Sequence, residues 1–294
     1  MELKWRYQNQ TGNTLKSFLK QHGISHRMFL ALRNDGEFKV NDQPITKNVA
    51  LRTNDVVQVT LPPETSDPAV ATSNQPIEVI YEDSNWLVIN KPAGLTSVPG
   101  PSNRHDTLVN RIKGHLVNQG SSDLRPHLIT RLDRFTSGVV LVAKHRIANS
   151  FASQQSMNHA IDKHYLALVS GQLATPHDTI NFPIGKVADE VRRHRMTGGQ
   201  SARTEYWVVK SFPKYSEVRI QLHTGRTHQI RVHLSEIGHP LLGDQLYAGP
   251  LDEGIKRQAL HALDIKFYDP FRSQFVEYQA PLPTDMAALI NREE

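Results

Sequence analysis

The residues best placed for chemistry sit in one short string, Arg131-Leu132-Asp133-Arg134-Phe135-Thr136-Ser137-Gly138, which runs straight into the apolar stretch Val139 to Ala143. It puts an aspartate among arginines in a loop that feeds a buried strand. Burial alone raises a carboxyl pKa, whereas a nearby guanidinium favours the charged form by about 1–3 units. An ionised, partly buried carboxylate can serve as a nucleophile or a base. The same side chain can also cap the amides of Thr136 or Ser137, as short polar side chains do in loops. A second string runs from His223-Thr224-Gly225-Arg226-Thr227 through His228-Gln229-Ile230-Arg231 to Val232-His233-Leu234. Thr224-Gly225 turns the chain, and Thr227 can cap a helix with Ile230, Leu234 and Ile237 on one face, closed by Gly238. Arg231 in that helix can clamp a carboxylate through a two-pronged, charge-assisted contact. Alternatively, Arg226 and Arg231 are surface arginines that bind phosphate.

Other chemistries find no support. The chain has 294 residues, 15 histidines and no cysteine, which removes disulfides, thiolate metal sites and thiol nucleophiles. His223, His228 and His233 are five residues apart, a step that turns about 140° on a helix and changes face on a strand. Neither geometry gathers three imidazoles on one metal, and no HExxH occurs, so no metal is expected. No GxGxxG, Walker or GxSxG string is present, so neither a nucleotide cofactor nor a serine hydrolase is indicated. The apolar runs are too short to span a bilayer, and the opening MELKWRYQNQ lacks the apolar core of a secretory signal. A cytoplasmic protein is therefore expected.

The elements that must position these residues fall into two parts. Residues 1–61 carry nine Lys/Arg against five acids, most of the net charge of +5. Thr14 can cap a helix with Leu15, Phe18 and Leu19 inward, ended by Gly23. Ser25 can cap a second with Met28, Phe29 and Leu32. Phe38 and Val40, then Val57, Val59 and Leu61, alternate as strands. Lys16, Lys20, Arg27 and Arg33 lie on the outer faces, where they suit a nucleic-acid backbone or simply meet solvent. Residues 62–76, PPETSDPAVATSNQP, have no periodic apolar face and read as a flexible linker. Residues 77–294 mix strand and helix signals without a βαβ rhythm, which favours an α+β fold. Thr107 can cap a helix carrying Leu108 and Ile112, and Val218, Ile220 and Leu222 alternate with polar neighbours.

Taken together, the strings resemble the RluA-type pseudouridine synthases, which modify large-subunit ribosomal RNA and some transfer RNA. Asn90-Lys91-Pro92-Ala93-Gly94-Leu95 is similar to the family's first motif. Arg131-Leu132-Asp133 with Thr136-Ser137-Gly138 is similar to the second, which holds the catalytic aspartate. Lys163-His164-Tyr165 is similar to the segment of the active-site tyrosine. Gly225 to His233 and Gly238-His239-Pro240-Leu241-Leu242-Gly243-Asp244 are similar to the third. Arg257-Gln258-Ala259-Leu260-His261-Ala262 matches the C-terminal end. The resemblance spans nearly all of residues 78–290. Residues 13–61 are similar, less sharply, to the small alpha-L RNA-binding domain named for a ribosomal protein. Thr130 stands where the family usually has His, and Phe135 where an acidic or polar residue is common.

The resemblance implies an α+β catalytic domain with a mixed, largely antiparallel sheet, preceded by a small RNA-binding domain. It implies an enzyme that detaches uracil from its ribose, turns it and rejoins it through carbon 5, without metal, redox or nucleotide cofactor. Asp133 would act on the nucleotide by attacking the sugar, attacking the base, or removing a sugar proton. Arg231 would pair with it, and Tyr165 would stack on the flipped base. Ile230 and Leu234 would be cavity walls. Arg131, Arg226, Lys91 and the run Arg192-Arg193-His194-Arg195, which reads as a polar loop, would meet the RNA, chiefly its phosphates. The implied partner is structured RNA, first of all ribosomal RNA, with transfer RNA as the alternative substrate and a monomer as the implied state. A non-catalytic RNA-binding or ribosome-assembly factor on the same scaffold is the competing reading.

Overall fold

The computed structural model describes residues 1–8, 13–101 and 103–292. The N-terminal part contains β1 (Glu2–Arg6), α1 (Leu15–Gln21), α2 (His26–Asp35), β2 (Glu37–Val40), β3 (Gln43–Pro44) and β4 (Val56–Thr60). Its four strands pair in the order β1-β4-β2-β3, all antiparallel. Both helices start where a hydroxyl can satisfy a free amide. Thr14 Oγ1 accepts from Ser17 N at 3.3 Å and Ser25 Oγ from Met28 N at 3.2 Å. Leu15, Phe18, Leu19, Phe29 and Leu32 bury the inner helix faces against Phe38, Val57 and Val59.

The larger part runs β5 (Glu78–Glu82), β6 (Trp86–Lys91), α3 (Leu108–Asn118), β7 (His127–Leu128), β8 (Ser137–Ala143), α4 (Arg146–Met157) and β9 (Asp162–Ser170). It continues with β10 (His177–Ile180), β11 (Ile184–Lys186), β12 (Arg193–Arg195), β13 (Thr204–Ser211), β14 (Tyr215–Leu222) and α5 (Gln229–Glu236). It ends with β15 (Leu260–Asp269), β16 (Gln274–Gln279) and α6 (Thr284–Arg292). Ten strands form one sheet in the order β10-β13-β14-β9-β15-β8-β6-β5, with β16 beside β15 and β7 beside β8. The pairing of β8 with β15 is parallel and the others are antiparallel. This is an α+β fold with the mixed, largely antiparallel sheet expected above.

Strand β8 is buried from end to end, because both sheet faces are covered, so its sequence is a continuous apolar run rather than an alternation. Val140 and Val142 pack with Leu108, Ile112 and Leu116 of α3 on one face. Val139, Leu141 and Ala143 pack with Ala148 and Ala152 of α4 on the other. The parallel junction needs Gly138. A Cβ there would lie 2.1 Å from the Ala262 carbonyl oxygen, and its φ of +113° suits glycine alone.

The flexible linker expected over residues 62–76 needs correction. The segment forms no helix or strand, but it is tied to the larger part by hydrogen bonds rather than by apolar burial. Glu64 N donates to Asp123 Oδ1 at 2.8 Å, and Glu64 Oε2 lies 3.0 Å from His127 Nε2. Further along, Ser73 N donates to Asn110 O at 3.1 Å and Asn110 Nδ2 to Ala71 O at 2.8 Å. The two parts also share a helix: Ile147 of α4 is buried in the N-terminal core, and Phe151 and Phe271 pack against that core. Among the described residues, no helix is long and apolar enough to cross a membrane.

Candidate active site

A cavity of about 450 Å³ opens where the loop before β8, the strand β9 and the start of α5 meet. Asp133, Tyr165 and Arg231, far apart in sequence, all line it, together with Arg131, Arg226 and Ile230. The Asp133 loop is held by its main chain. Ser97 Oγ donates to Leu132 O at 2.6 Å and accepts from Leu132 N at 3.2 Å. Gly94 N donates to Arg134 O at 2.8 Å. The Thr136 amide donates to the Asp133 main-chain carbonyl at 3.1 Å. That amide is the partner the Asp133 carboxylate would have capped, so the side chain is left free for the cavity.

There it meets Arg231. Arg231 Nη1 donates to Asp133 Oδ2 at 3.1 Å. The rest of the guanidinium is committed to Asp244, with Nε to Oδ2 at 2.6 Å and Nη2 to Oδ1 at 2.8 Å. It also lies over the ring of Tyr247, 4.8 Å from its centroid. Burial works against the charge of Arg231, but hydrogen bonds and charge from Asp244 and Asp133 outweigh it and hold the pKa above its ordinary value. His228 Nε2 stands 3.8 Å from Asp133 Oδ2. Burial pulls the His228 pKa down, against the opposing pull of Asp133, which leaves Arg231 as the permanent cation beside the carboxylate. Tyr165 is 7% exposed, and burial, with the Asp133 charge, pushes its phenol above the ordinary range. The site thus presents one carboxylate oxygen pinned by a fixed cation, next to a neutral aromatic ring.

Helix α5 starts differently from the reading of Thr227 as its cap. The N-cap is His228, in the left-handed region at φ +57°, without a side-chain cap bond. Gln229 instead fixes the turn before the helix: its Oε1 accepts from Arg226 N at 3.0 Å and Thr224 Oγ1 at 2.7 Å, while Nε2 donates to Arg203 O and Thr204 Oγ1. A left-handed residue that is not glycine stores about 1–3 kcal/mol. Here it aims the His228 ring, whose Nδ1 is 3.0 Å from Tyr247 Oη.

Several expected contacts need correction. Lys91 is fully buried, with Nζ donating to the carbonyls of Pro92, Leu95 and Arg134 at 2.9, 2.9 and 3.3 Å. It cannot reach an RNA phosphate; it fastens the loop that carries Asp133. Burial brings its pKa down to about 7, against the pull of Asp133. Leu234 is fully buried in the core beneath α5 and lines no part of the cavity, because it lies one turn beyond Ile230. Ile237, assigned to the same apolar face, is 37% exposed. Arg193 to Arg195 form β12, paired with β11, rather than a polar loop. Arg193 lies outside the cavity wall, its amide donating to Tyr247 Oη at 2.8 Å. Thr130, the departure from the family's His, lines the cavity and accepts from Leu141 N through Oγ1 at 3.0 Å. Phe135 is 44% exposed, with the Arg134 guanidinium 5.0 Å from its ring centroid. Asp244, His228 and Tyr247 join the site beyond the residues expected from the sequence. Asp244 closes the string Gly238 to Asp244, and a buried arginine's need for a second carboxylate was the available signal.

The family described as RNA pseudouridylate synthase matches residues 85–236, a stretch that includes Asp133, Tyr165 and Arg231. A Bacillus subtilis protein named uncharacterized RNA pseudouridine synthase YjbO is 38% identical over 282 residues, 95% of this chain and 99% of that one. The chain belongs to the RNA pseudouridine synthase family. It is an enzyme that isomerises uridine in RNA. The ribosomal large subunit pseudouridine synthase D of Nitrosomonas europaea is 38% identical over 226 residues, 73% of this chain and 64% of that one. Among solved structures, human RNA pseudouridylate synthase domain containing 4 superposes with a TM-score of 0.62 at 23% identity, covering 73% of this chain and 92% of that one. That likeness concerns the fold.

Proposed function

We propose that this pseudouridine synthase modifies uridine in large-subunit ribosomal RNA, with Asp133 acting on a nucleotide extruded into the cavity. The observation that carries this reading is the Asp133 carboxylate at 3.1 Å from Arg231 Nη1, in a cavity whose wall includes Tyr165. A uracil within a stack hides its glycosidic bond, so it must be flipped out, at a cost of a few kcal/mol. Stacking on an aromatic ring returns about 1–3 kcal/mol, and Tyr165 supplies the ring. Attack on the sugar, attack on the base and removal of a sugar proton would all begin from the same carboxylate oxygen. Ribosomal RNA is favoured because two similar proteins, from Nitrosomonas europaea and Yersinia pestis, carry the name ribosomal large subunit pseudouridine synthase D. The exposed Lys16, Lys20, Arg27 and Arg33 of the N-terminal part support an RNA-binding role for it.

The test uses total RNA from cells lacking the gene. Incubation with the protein, followed by carbodiimide mapping, is expected to give new pseudouridine in large-subunit ribosomal RNA. Asp133→Asn keeps the shape and is expected to give none while still binding RNA. Turnover by that variant, once shown to be folded, removes Asp133 from the reaction; new pseudouridine confined to transfer RNA changes the substrate.

A further inference from the structure

A second cavity, of about 440 Å³, lies on the far side of α4 from the first, between that helix, the end of α1 and the β15–β16 hairpin. Its size falls within the range of about 300–1,000 Å³ usual for small-ligand sites. The two cavities share a wall. Ser156 and Ile161 face the Asp133 cavity, whereas Gln155, Asn158 and Ala160 face the second. Met157, between them, is 74% exposed.

The walls of the second cavity combine aromatic rings with amides and carry no carboxylate. Tyr268 and Phe275 face each other across the hairpin, 5.5 Å apart and nearly perpendicular, and are 38% and 66% exposed. Gln155 fixes this edge, donating to Tyr268 O at 2.8 Å and accepting from Tyr268 N at 2.9 Å. His22 Nδ1 donates to Phe18 O at 3.0 Å, so the neutral ring keeps Nε2 as an acceptor. The side-chain amides of Gln21, Gln154 and Asn158 have no hydrogen-bond partner among the described residues. Lys266 Nζ lies 5.9 Å from the Phe275 ring centroid, and the exposed Lys20 precedes Gln21.

Exposed rings for a π face, unspent amides for an edge and cations nearby for a phosphate are what an unpaired nucleobase requires. We propose that this cavity binds a second unpaired base of the RNA strand whose uridine enters the Asp133 cavity. Helix α4, about 10–12 Å across, separates the two cavities, so the second base would lie on the same strand a few nucleotides from the target. This rests on reading the Asp133 cavity as the uridine site, and the experiment separates the two.

The full-length protein is cross-linked by near-ultraviolet light to large-subunit ribosomal RNA transcripts containing 4-thiouridine, and the adducts are located by mass spectrometry. Adducts are expected on Tyr165 and on Tyr268 or Phe275. In parallel, Phe275→Ala is expected to raise the RNA concentration for half-maximal pseudouridine formation by about tenfold, within the range for one lost base–aromatic stack. Phe275→Tyr is expected to keep the wild-type value, since it retains the ring. Adducts on Tyr165 without any on Tyr268 or Phe275, or an unchanged half-saturation in Phe275→Ala, overturn the second base site alone. Adducts on Tyr268 or Phe275 without Tyr165 overturn the uridine site instead, and the absence of both overturns both.

Discussion

Arg231 reaches Asp133 with Nη1 alone, because its Nε and Nη2 are already given to Asp244 at 2.6 and 2.8 Å. Asp244, whose side chain is 1% exposed, is the buried partner, and Asp133, at 27%, is the one that faces the cavity. A fork held on one side by a buried carboxylate cannot rotate to follow the other. Asp244→Asn keeps the volume but offers an N–H where a guanidinium needs an acceptor. Breaking one side of a buried pair costs about 3–5 kcal/mol, and misplacing a catalytic group by 1 Å costs about 10²-fold in rate. Denaturant unfolding and single-turnover pseudouridine formation are expected to show both losses. Near-normal turnover would mean that the Tyr247 ring suffices to hold Arg231.

Tyr165 stays neutral at any working pH, since burial and the Asp133 charge both oppose the phenolate. Its contribution to binding is then a matter of ring area. In an Asp133→Asn background, which isolates binding, Tyr165→Ala is expected to weaken RNA affinity by about 1–3 kcal/mol. Tyr165→Phe is expected to leave it nearly unchanged. A filter-binding titration distinguishes them; equal losses in both variants would assign the binding role to the hydroxyl.

Much of this arrangement was legible in the chain. The apolar run Val139 to Ala143 announced a central strand, and Thr14, Ser25 and Thr107 announced helix starts, because these depend on neighbours in sequence. The pairing of Asp133 with Arg231 was legible only through family resemblance, since 98 residues separate them. What stayed hidden was set by tertiary contact. Lys91 looks like a phosphate ligand in sequence, but three carbonyls around its ammonium make it a fastener. His228 looks like an ordinary loop residue in sequence, but it is the left-handed N-cap residue of α5 and stands beside Asp133. The segment 62–76 looks unable to order itself, yet Glu64 and Ser73 find partners that its own composition does not contain.

Three histidines are fully buried and neutral. His145, His233 and His261 are at most 2% exposed, and burial lowers the pKa of each from 6.5 to about 4. Between those values the unfolded chain binds protons that the folded protein refuses, so stability is full above pH 6.5 and falls as the pH drops towards 4. Each histidine accounts for about 3 kcal/mol of that loss at most. Urea unfolding across this window is expected to show a steep acid slope, and His261→Gln to remove about a third of it. A slope unaltered in that variant would assign the acid sensitivity to other groups.

Among the contacts that couple the two parts of the molecule, the one at Gly23 is tight. Gly23 ends the first helix at φ +79°, and a Cβ there would lie 2.7 Å from Phe151 Cε2 on α4. The Phe151 ring packs edge-on against Phe271 with centroids 5.7 Å apart, so a ring displaced by the new Cβ disturbs that pair. Gly23→Ala therefore meets two penalties, roughly 1–2 kcal/mol for the left-handed backbone and about 1–3 kcal/mol for overpacking. Helix α4 also carries Ile147, which is buried in the N-terminal core, so strain at this contact passes into both parts. Hydrogen exchange by mass spectrometry is expected to show faster exchange in Gly23→Ala over both residues 14–34 and residues 146–157. Faster exchange confined to residues 14–34 would show that the N-terminal part yields alone and that α4 is held by the large sheet.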